Sequence, residues 1–549
     1  MEGAPVVVPS YDWSTVMIIP FILEKALSLY EDKEAVVHEG RRFTYRDMAQ
    51  RSFGLASFLR SEGIGKGDRV AILHQNSNEF LEAYFAAAQI GAVLNPLNVR
   101  LSPKELAFIL EDSGASVLIT APRFAEQVEA LAGLKASLTK VLWTGEKEGS
   151  RTFPAAGYEE AVSSFSGDRP ETPQLSDDDV AHLYYTSGTT GKPKGVMLTH
   201  RNVCTHALAA IAELHMTDSD RWIHAAPLFH LADAWAAFAV TWVGGKHVTV
   251  PDFDPSQVLS LMEREGVTIT NMIPTMLNML VHTPGVGDMD FSSLRVILSG
   301  GSPIAPEVVR RIMATFGCDY IQTYGMTETS PYLTVSILKE HLKKLPEEEQ
   351  FNYKARTGRP FLGVLLKVIR EDGSEVAQDD KEVGEIVVKG DIVTPGYWNR
   401  PDETRAAIKD GWLHTGDMAV VDQEGYVNIV DRKKDMIITG GENVYSVEVE
   451  NILYEHPAVL EAVVIGVPDP KWGEAVKAVV VLKEGASADE EEIIRHCKEN
   501  IASYKAPKSV DFMDSLPRTG SGKLYKKGLK DLFWGKAADS TPEPDAFQP

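Results

Sequence analysis

The 549-residue sequence predicts an α/β fold: a large N-terminal domain of two packed βαβ-type sheets plus a small β-barrel, followed by an α+β C-terminal domain. Three observations carry that expectation. From about residue 68 to 325, short β-rich runs alternate with helical patterns, the signature of βαβ units in parallel sheets. So many units over that length call for two sheets rather than one. After Gly358 the pattern changes to β-branched runs parted by the turn Glu371-Asp372-Gly373-Ser374, as in a small antiparallel barrel. From about Asp435, apolar strands and one charged helix follow. A chain of this length also exceeds what one core supports, so two or more domains are expected.

In chain order, residues 69–73 read as a strand and 78–90 as a helix that Gly91 stops. Ser102-Pro103-Lys104-Glu105 opens the next helix with a capping serine and a proline in its first turn. Gly114 then precedes a strand at 116–120. The alternation recurs as a helix at 255–266, strands at 267–273 and 294–298, and a helix after Pro306. Strands at 365–369 and 385–388 belong to the small β region. Those at 462–467 and 476–482, with the charged helix at 489–500, belong to the C-terminal module. The expected limits are 1–433, 434–536 and a disordered tail at 537–549, rich in Pro, Asp and Ala.

Composition narrows the function. An apolar content of 44% and a charged content of 24% are ordinary for a soluble globular protein. The 55 basic and 78 acidic residues leave a net charge of −23, which argues against nucleic-acid or anionic-membrane binding. An anionic ligand must therefore be met by local basic groups. Cys204, Cys318 and Cys497 are distant and odd in number, giving neither a disulfide framework nor zinc spacing, and a cytoplasmic location fits. No apolar run reaches transmembrane length. The start lacks the basic segment of a signal peptide, and the end, Ala546-Phe547-Gln548-Pro549, is not a peroxisomal signal.

The densest chemistry lies in Tyr185-Thr186-Ser187-Gly188-Thr189-Thr190-Gly191-Lys192-Pro193-Lys194-Gly195. Its glycines allow φ > 0 and close approach, so that backbone N–H groups can converge on phosphate oxygens, while hydroxyls and two lysines add donors and charge. Pro193 stands where a Walker A loop needs Ser or Thr, so a standard P-loop NTPase is excluded. Four more clusters stand beside it. Ser299-Gly300-Gly301-Ser302-Pro303 follows a strand, where α/β sheets present ligand crevices. Tyr324-Gly325-Met326-Thr327-Glu328 pairs an aromatic ring with hydroxyl and carboxylate, suited to adenine and Mg²⁺. Trp412-Leu413-His414-Thr415-Gly416-Asp417 offers an acid for ribose hydroxyls. Pro517-Arg518-Thr519-Gly520-Ser521-Gly522-Lys523 delivers one cation on a flexible loop. Taken singly, each is as well read as a polar turn.

As an ordered set, these clusters resemble the acyl-adenylate-forming superfamily of acyl-CoA synthetases, peptide-synthetase adenylation domains and firefly luciferase, over residues 11–532. The resemblance implies an AMP-forming acid:CoA ligase with ATP, Mg²⁺ and CoA. Thr186, Ser187, Gly188, Thr189, Thr190, Gly191, Lys192 and Lys194 would hold the phosphates, with Thr186 and Glu328 at Mg²⁺. Gly301, Gln322, Thr323 and Tyr324 would line the adenine pocket, with Thr327 near the α-phosphate; Asp417 and Arg432 would hold the ribose. Lys523 would assist adenylation. Rotation of a mobile α+β C-terminal domain about Lys434, which only the resemblance implies, would then exchange it for Gly440 and Gly441, which leave a channel for pantetheine. Gly300, Gly325, His230 and Trp235 would border the acyl site. His230 stands where amino-acid-activating relatives carry Asp, and Trp235 matches a gating tryptophan of long-chain fatty acyl-CoA synthetases, so a medium- or long-chain fatty acid is expected.

An aryl-acid:CoA ligase, or a stand-alone enzyme loading a carrier protein, is the alternative within enzymes. A nucleotide-binding sensor is the alternative outside them, and it predicts loss of Glu328, Asp417 or Lys523, all of which are present. The expected partners are the small-molecule acid, ATP and CoA, with a homodimer as the assembly considered.

Overall fold

The computed structural model of the chain describes residues 17–134, 137–145, 153–186, 193–433, 435–440, 442–518 and 524–538. It divides into two compact units. The first comprises Met1–Ser302, Pro306–Leu366 and Val388–Leu413; the second comprises Pro303–Ala305, Lys367–Val387 and His414–Pro549.

The βαβ alternation read from the sequence becomes two large sheets in the first unit. A seven-stranded sheet runs, edge to edge, through Ala155–Gly157, Lys140–Trp143, Val117–Thr120, Arg69–Leu73, Val93–Pro96, Val180–Thr186 and Lys194–Thr199. Its pairs are parallel except the last, an antiparallel hairpin in which Thr186 faces Lys194 and Tyr185 faces Gly195. A nine-stranded sheet has Asp319–Gly325 between the parallel neighbour Val296–Gly300 and the antiparallel neighbour Tyr332–Val335. Helix starts follow local chemistry: Ser102 and Glu105 form a reciprocal capping box ahead of the helix Pro103–Ser113, and Gly114 closes it at φ 66°.

The helix Asn78–Gln89 is buried along its whole length, including Glu79, Glu82 and Gln89. Such a helix must pack on several sides. It does so between the sheets: Tyr84 donates to the carbonyl of Leu228 at 2.8 Å, and the Tyr184 hydroxyl of the hairpin lies 2.6 Å away. Asn76, just before the helix N-cap Ser77, donates to the carbonyls of His224 and Ala226 and accepts from the Leu228 N–H. These bonds tie the end of one sheet to the loop that leads into the helix Leu231–Val243.

In the second unit, Trp412–Val421 pairs antiparallel with Val427–Arg432 as part of a five-stranded sheet. The hairpin Ile437–Thr439 with Glu442–Val444 joins a sheet centred on Val459–Asp469 and Gly473–Leu482. One face of that sheet packs Val449, Leu453, Ile493 and Cys497 from two helices. The other packs Leu529 and Phe533 from the helix Lys526–Ala538. From 539 onward, the tail expected at 537–549 lies outside the described residues. Among the described residues, no helix is long and apolar enough to cross a membrane.

Candidate active site

Residues 187–192, the centre of the phosphate-loop motif, lie outside the described residues, as do Lys434, Gly441 and Lys523. The motif's flanks are described, and they show how the loop is mounted. Thr186 and Lys194 are the last and first residues of two strands paired antiparallel at the edge of the seven-stranded sheet. Gly195 lies in the second strand without a positive φ. A Cβ there would lie 3.0 Å from the Tyr185 ring, so this glycine makes room for a side chain rather than bending the chain. Tyr185 in turn donates to Asp112 at 2.8 Å. Burial and then the Asp112 carboxylate push its phenol above the ordinary range.

A second segment, residues 394–400, is laid along the open edge of this hairpin. The Met197 N–H donates to the Gly396 carbonyl at 3.1 Å, and the Trp398 N–H to the Gly195 carbonyl at 2.7 Å. The Trp398 indole donates to the Asp112 carbonyl, and Arg400 binds the Asp112 carboxylate at 2.6 Å. Lys194 forms an ion pair with Glu403, and its ammonium sits 5.0 Å from the Tyr397 ring centroid. The Tyr397 hydroxyl donates to Glu328 at 2.9 Å, and the Thr394 N–H donates to the Glu328 carbonyl at 2.8 Å. The structure thus brings Thr186, Lys194 and Glu328 onto one framework. Sequence reading passed over Asp112, Tyr397, Trp398 and Arg400. The one signal was compositional: two aromatics and an arginine in the turn-rich run Thr394-Pro395-Gly396-Tyr397-Trp398-Asn399-Arg400.

Glu328 is buried in a single 3₁₀ turn, Thr327–Thr329, directly after the strand that ends in Tyr324 and Gly325. The turn is knotted on itself: the Met326 N–H donates to the Pro331 carbonyl at 3.1 Å, and the Thr329 hydroxyl donates to the same carbonyl at 2.6 Å. Gly325 permits this, since a Cβ would fall 1.7 Å from that oxygen. On the adjacent strand Gly300 faces Thr323, whose hydroxyl donates to Ser299 and would lie 2.5 Å from an added Cβ. Gln322 is held at both ends, donating to the Ser302 carbonyl and accepting from Tyr320. Gly301, at φ +88°, turns the chain between them. Tyr324 and Thr327 are half-buried beside this group.

His230 occupies the N-cap of the helix Leu231–Val243, but its imidazole makes no capping bond. Residues 234–240 of that helix are almost wholly inaccessible. Trp235 donates to Ala232 and, at 3.0 Å, to the Tyr332 hydroxyl, and its ring meets Trp222, His206 and Tyr332 edge-on. Asp233 is also sealed, accepting from the Trp222 indole at 3.0 Å and meeting His224 at 2.6 Å.

In the second unit, Asp417 faces Arg432 across paired strands, with Arg432 Nε 3.2 Å from its carboxylate. Thr415 anchors to the Ile386 carbonyl, and its hydroxyl accepts from the Asp417 N–H. Asp431 accepts from the Ser446 N–H at 2.6 Å. Gly440 takes φ +61° after the strand Ile437–Thr439, and its N–H donates to the Trp472 carbonyl. Among the described residues, no group of three or more His, Cys, Asp or Glu could cage a metal ion. A lone buried carboxylate such as Glu328 suits a hard cation that arrives with phosphate and water ligands, as Mg²⁺ does.

Comparison with known proteins identifies the class as a nucleotide-dependent ligase. The AMP-binding enzyme family model matches residues 23–398, and the AMP-binding enzyme C-terminal domain matches residues 448–523; the chain belongs to this family. It is 41% identical to a feruloyl-CoA synthase of Amycolatopsis sp., covering 91% of this chain and 96% of the relative. It is 39% identical to a long-chain-fatty-acid–CoA ligase of Thermus thermophilus, covering 93% and 94%. Among solved structures, an anthranilate CoA ligase in complex with anthranoyl-AMP superposes with a TM-score of 0.85 at 27% identity, over 95% of this chain and 98% of that one. ATP-bound MatB from Rhodopseudomonas palustris gives 0.82 at 30% identity, over 94% and 99%. The protein is an AMP-forming acid:CoA ligase that uses ATP, Mg²⁺ and CoA.

Proposed function

We propose that the acid is apolar and carries no α-ammonium group, a fatty acid of medium or long chain being the class we favour. The observation that carries this reading is Asp233. It is the one carboxylate in the helix that follows His230, and both its oxygens are engaged by Trp222 and His224 in a fully buried setting. A substrate ammonium would therefore meet apolar side chains there, at a desolvation cost nothing repays. One feature supports an aryl acid as a second reading. Trp235 is pinned to Tyr332 amid Trp222, His206 and Phe361, a filled aromatic cluster that suits a compact ring better than a long chain.

In this reading the substrate carboxylate attacks the α-phosphorus of ATP, pyrophosphate leaves, and the acyl adenylate then passes its acyl group to the CoA thiol. Thr186 and Glu328 hold Mg²⁺, which when bound offsets phosphate charge. Residues 187–192 and Lys194 hold the phosphates; Gly301, Gln322, Thr323, Tyr324 and Thr327 serve the adenosine end, and Asp417 with Arg432 the ribose. Lys523 balances the charge that grows as two anions meet. Gly440 and Gly441 serve the thiol half, with the domain limit at 433/434 and Lys434 as hinge. A cytoplasmic location accords with three buried, unpaired cysteines, and the homodimer is tested by light scattering.

The deciding experiment is ATP–pyrophosphate exchange with octanoate, palmitate, ferulate and phenylalanine, followed by CoA thioester detection. Exchange with the fatty acids and none with phenylalanine is expected. Preference for ferulate would install the second reading, and exchange with phenylalanine alone would overturn both. Lys523→Ala should abolish exchange yet keep thioester formation from supplied acyl adenylate.

A further inference from the structure

Tyr397 touches both charged groups that frame the phosphate hairpin. Its hydroxyl donates to Glu328 Oε1 at 2.9 Å, and the face of the same ring lies 5.0 Å from the Lys194 ammonium. Few side chains can do both, since this needs a donor at one end and a π-face along the body. The backbone fixes the residue as tightly as a strand would. Tyr397 bridges to Val196 in antiparallel register, its neighbours Gly396 and Trp398 exchange main-chain bonds with Met197 and Gly195, and its own N–H donates to the Thr404 hydroxyl at 3.0 Å. The same segment holds the Glu328 backbone through the Thr394 N–H. Glu403, in the first turn of the helix Pro401–Ala407 that follows, pairs with Lys194. One short stretch of chain therefore contacts both an anion and a cation that stand 134 residues apart in sequence.

We propose that Tyr397 is a positioning residue for the metal–nucleotide, its phenol fixing one oxygen of the Glu328 carboxylate and with it the direction in which that carboxylate meets the cation. The assignment rests on the reading that Glu328 meets Mg²⁺. A charge-assisted bond of this kind fixes direction as well as contributing energy.

Tyr397→Phe keeps the ring and removes only the donor. Its test is Mn²⁺·α,β-methylene-ATP binding, followed by Mn²⁺ electron paramagnetic resonance, since that nucleotide cannot be cleaved at the α-position. We expect binding to weaken about tenfold. The Mg²⁺ concentration for half-maximal ATP–pyrophosphate exchange should rise by a similar factor, while the KM for the acid is unchanged. Glu328→Gln separates the two levels of the argument. If Glu328→Gln leaves Mn²⁺·nucleotide binding intact, the metal reading of Glu328 fails. If Glu328→Gln weakens binding and Tyr397→Phe does not, the positioning role alone is overturned. The double variant should bind no more weakly than Glu328→Gln; additive losses, or a Tyr397→Phe enzyme that loses acid and nucleotide affinity alike with a lowered Tm, would make Tyr397 a general packing residue and refute the proposal.

Discussion

The two units hold their polar segments by opposite means. In the first, the turn carrying Glu328 depends on close approach: Gly325 has no positive φ, yet a Cβ on it would overlap the Pro331 carbonyl at 1.7 Å. In the second, the turn carrying Asp417 depends on backbone conformation: Gly416 sits at φ +72°, and an added Cβ would meet nothing within 4 Å. Buried charge differs in the same sense. The first unit seals histidines, with burial pushing His182 and His206 to about 3 and His200 to about 4. The second encloses an ion pair, Lys526 with Glu450 at 2.8 Å, which also reaches the Ser446 hydroxyl. The turn at Gly325 is specified by packing that leaves no room, and the turn at Gly416 by a dihedral angle.

Acid should expose that difference most strongly. An unfolded chain protonates each histidine near pH 6.5, whereas native His182 and His206 take up protons only near 3. Their contribution is therefore complete above 6.5 and is lost as pH falls through the window between these values, by up to about 1.4 kcal/mol per pH unit for each. At pH 4.5 the two together should cost about 5 kcal/mol. Urea unfolding followed by the buried first-unit tryptophans, Trp143, Trp222 and Trp235, reads this directly. His182→Phe should flatten the slope by about one proton; an unchanged slope would show that the ring is protonated in the native state.

Gly325→Ala comes next. The opposing atom is a backbone carbonyl in a knotted turn, so relief requires dismantling the bonds from Met326 and Thr329, at about 4 kcal/mol. A stable variant with normal exchange activity would mean the turn has slack that these contacts do not show. In the second unit, Lys526→Met should cost about 3 kcal/mol by stranding Glu450, whose only other described bond comes from the Val464 N–H. Faster hydrogen exchange in Val459–Asp469 would register it, and Lys526→Arg should restore most of the loss. Equal loss in both variants would move the cause from charge to packing.

The sequence made some of this legible and hid the rest for a physical reason. Capping residues and glycine stops act over three or four residues, and Ser102 and Gly114 stand where those rules put them; the strand Lys194–Thr199, where the sequence suggests a helix, is set by its partner strand. The glycine of Tyr324-Gly325 and that of Thr415-Gly416 look alike in one dimension; only the carbonyl of Pro331 distinguishes them. Asp112, Tyr397 and Arg400 carry no motif because their meaning is tertiary, a carboxylate and a guanidinium 288 residues apart closing on the root of one hairpin. The aromatic run around Trp235 reads equally as pocket lining or as core until Tyr332 is seen holding the indole.

The smallest effect is the sharpest test of the comparison. If Gly416 is required for its dihedral angle alone, Gly416→Ala should cost only the left-handed penalty, about 1–2 kcal/mol. Asparagine, which tolerates that region by bonding locally, should cost visibly less despite its larger side chain, since nothing lies within 4 Å to be displaced. Size and conformation thus predict opposite orders. At Gly325 they do not: any side chain meets the Pro331 oxygen first, so alanine should already carry most of the cost and asparagine should be worse. Thermal unfolding of the four variants, with the KM for ATP as a second readout for the Asp417 turn, decides the matter. The same Ala-before-Asn order at both positions would show that Gly416, too, is held by contact.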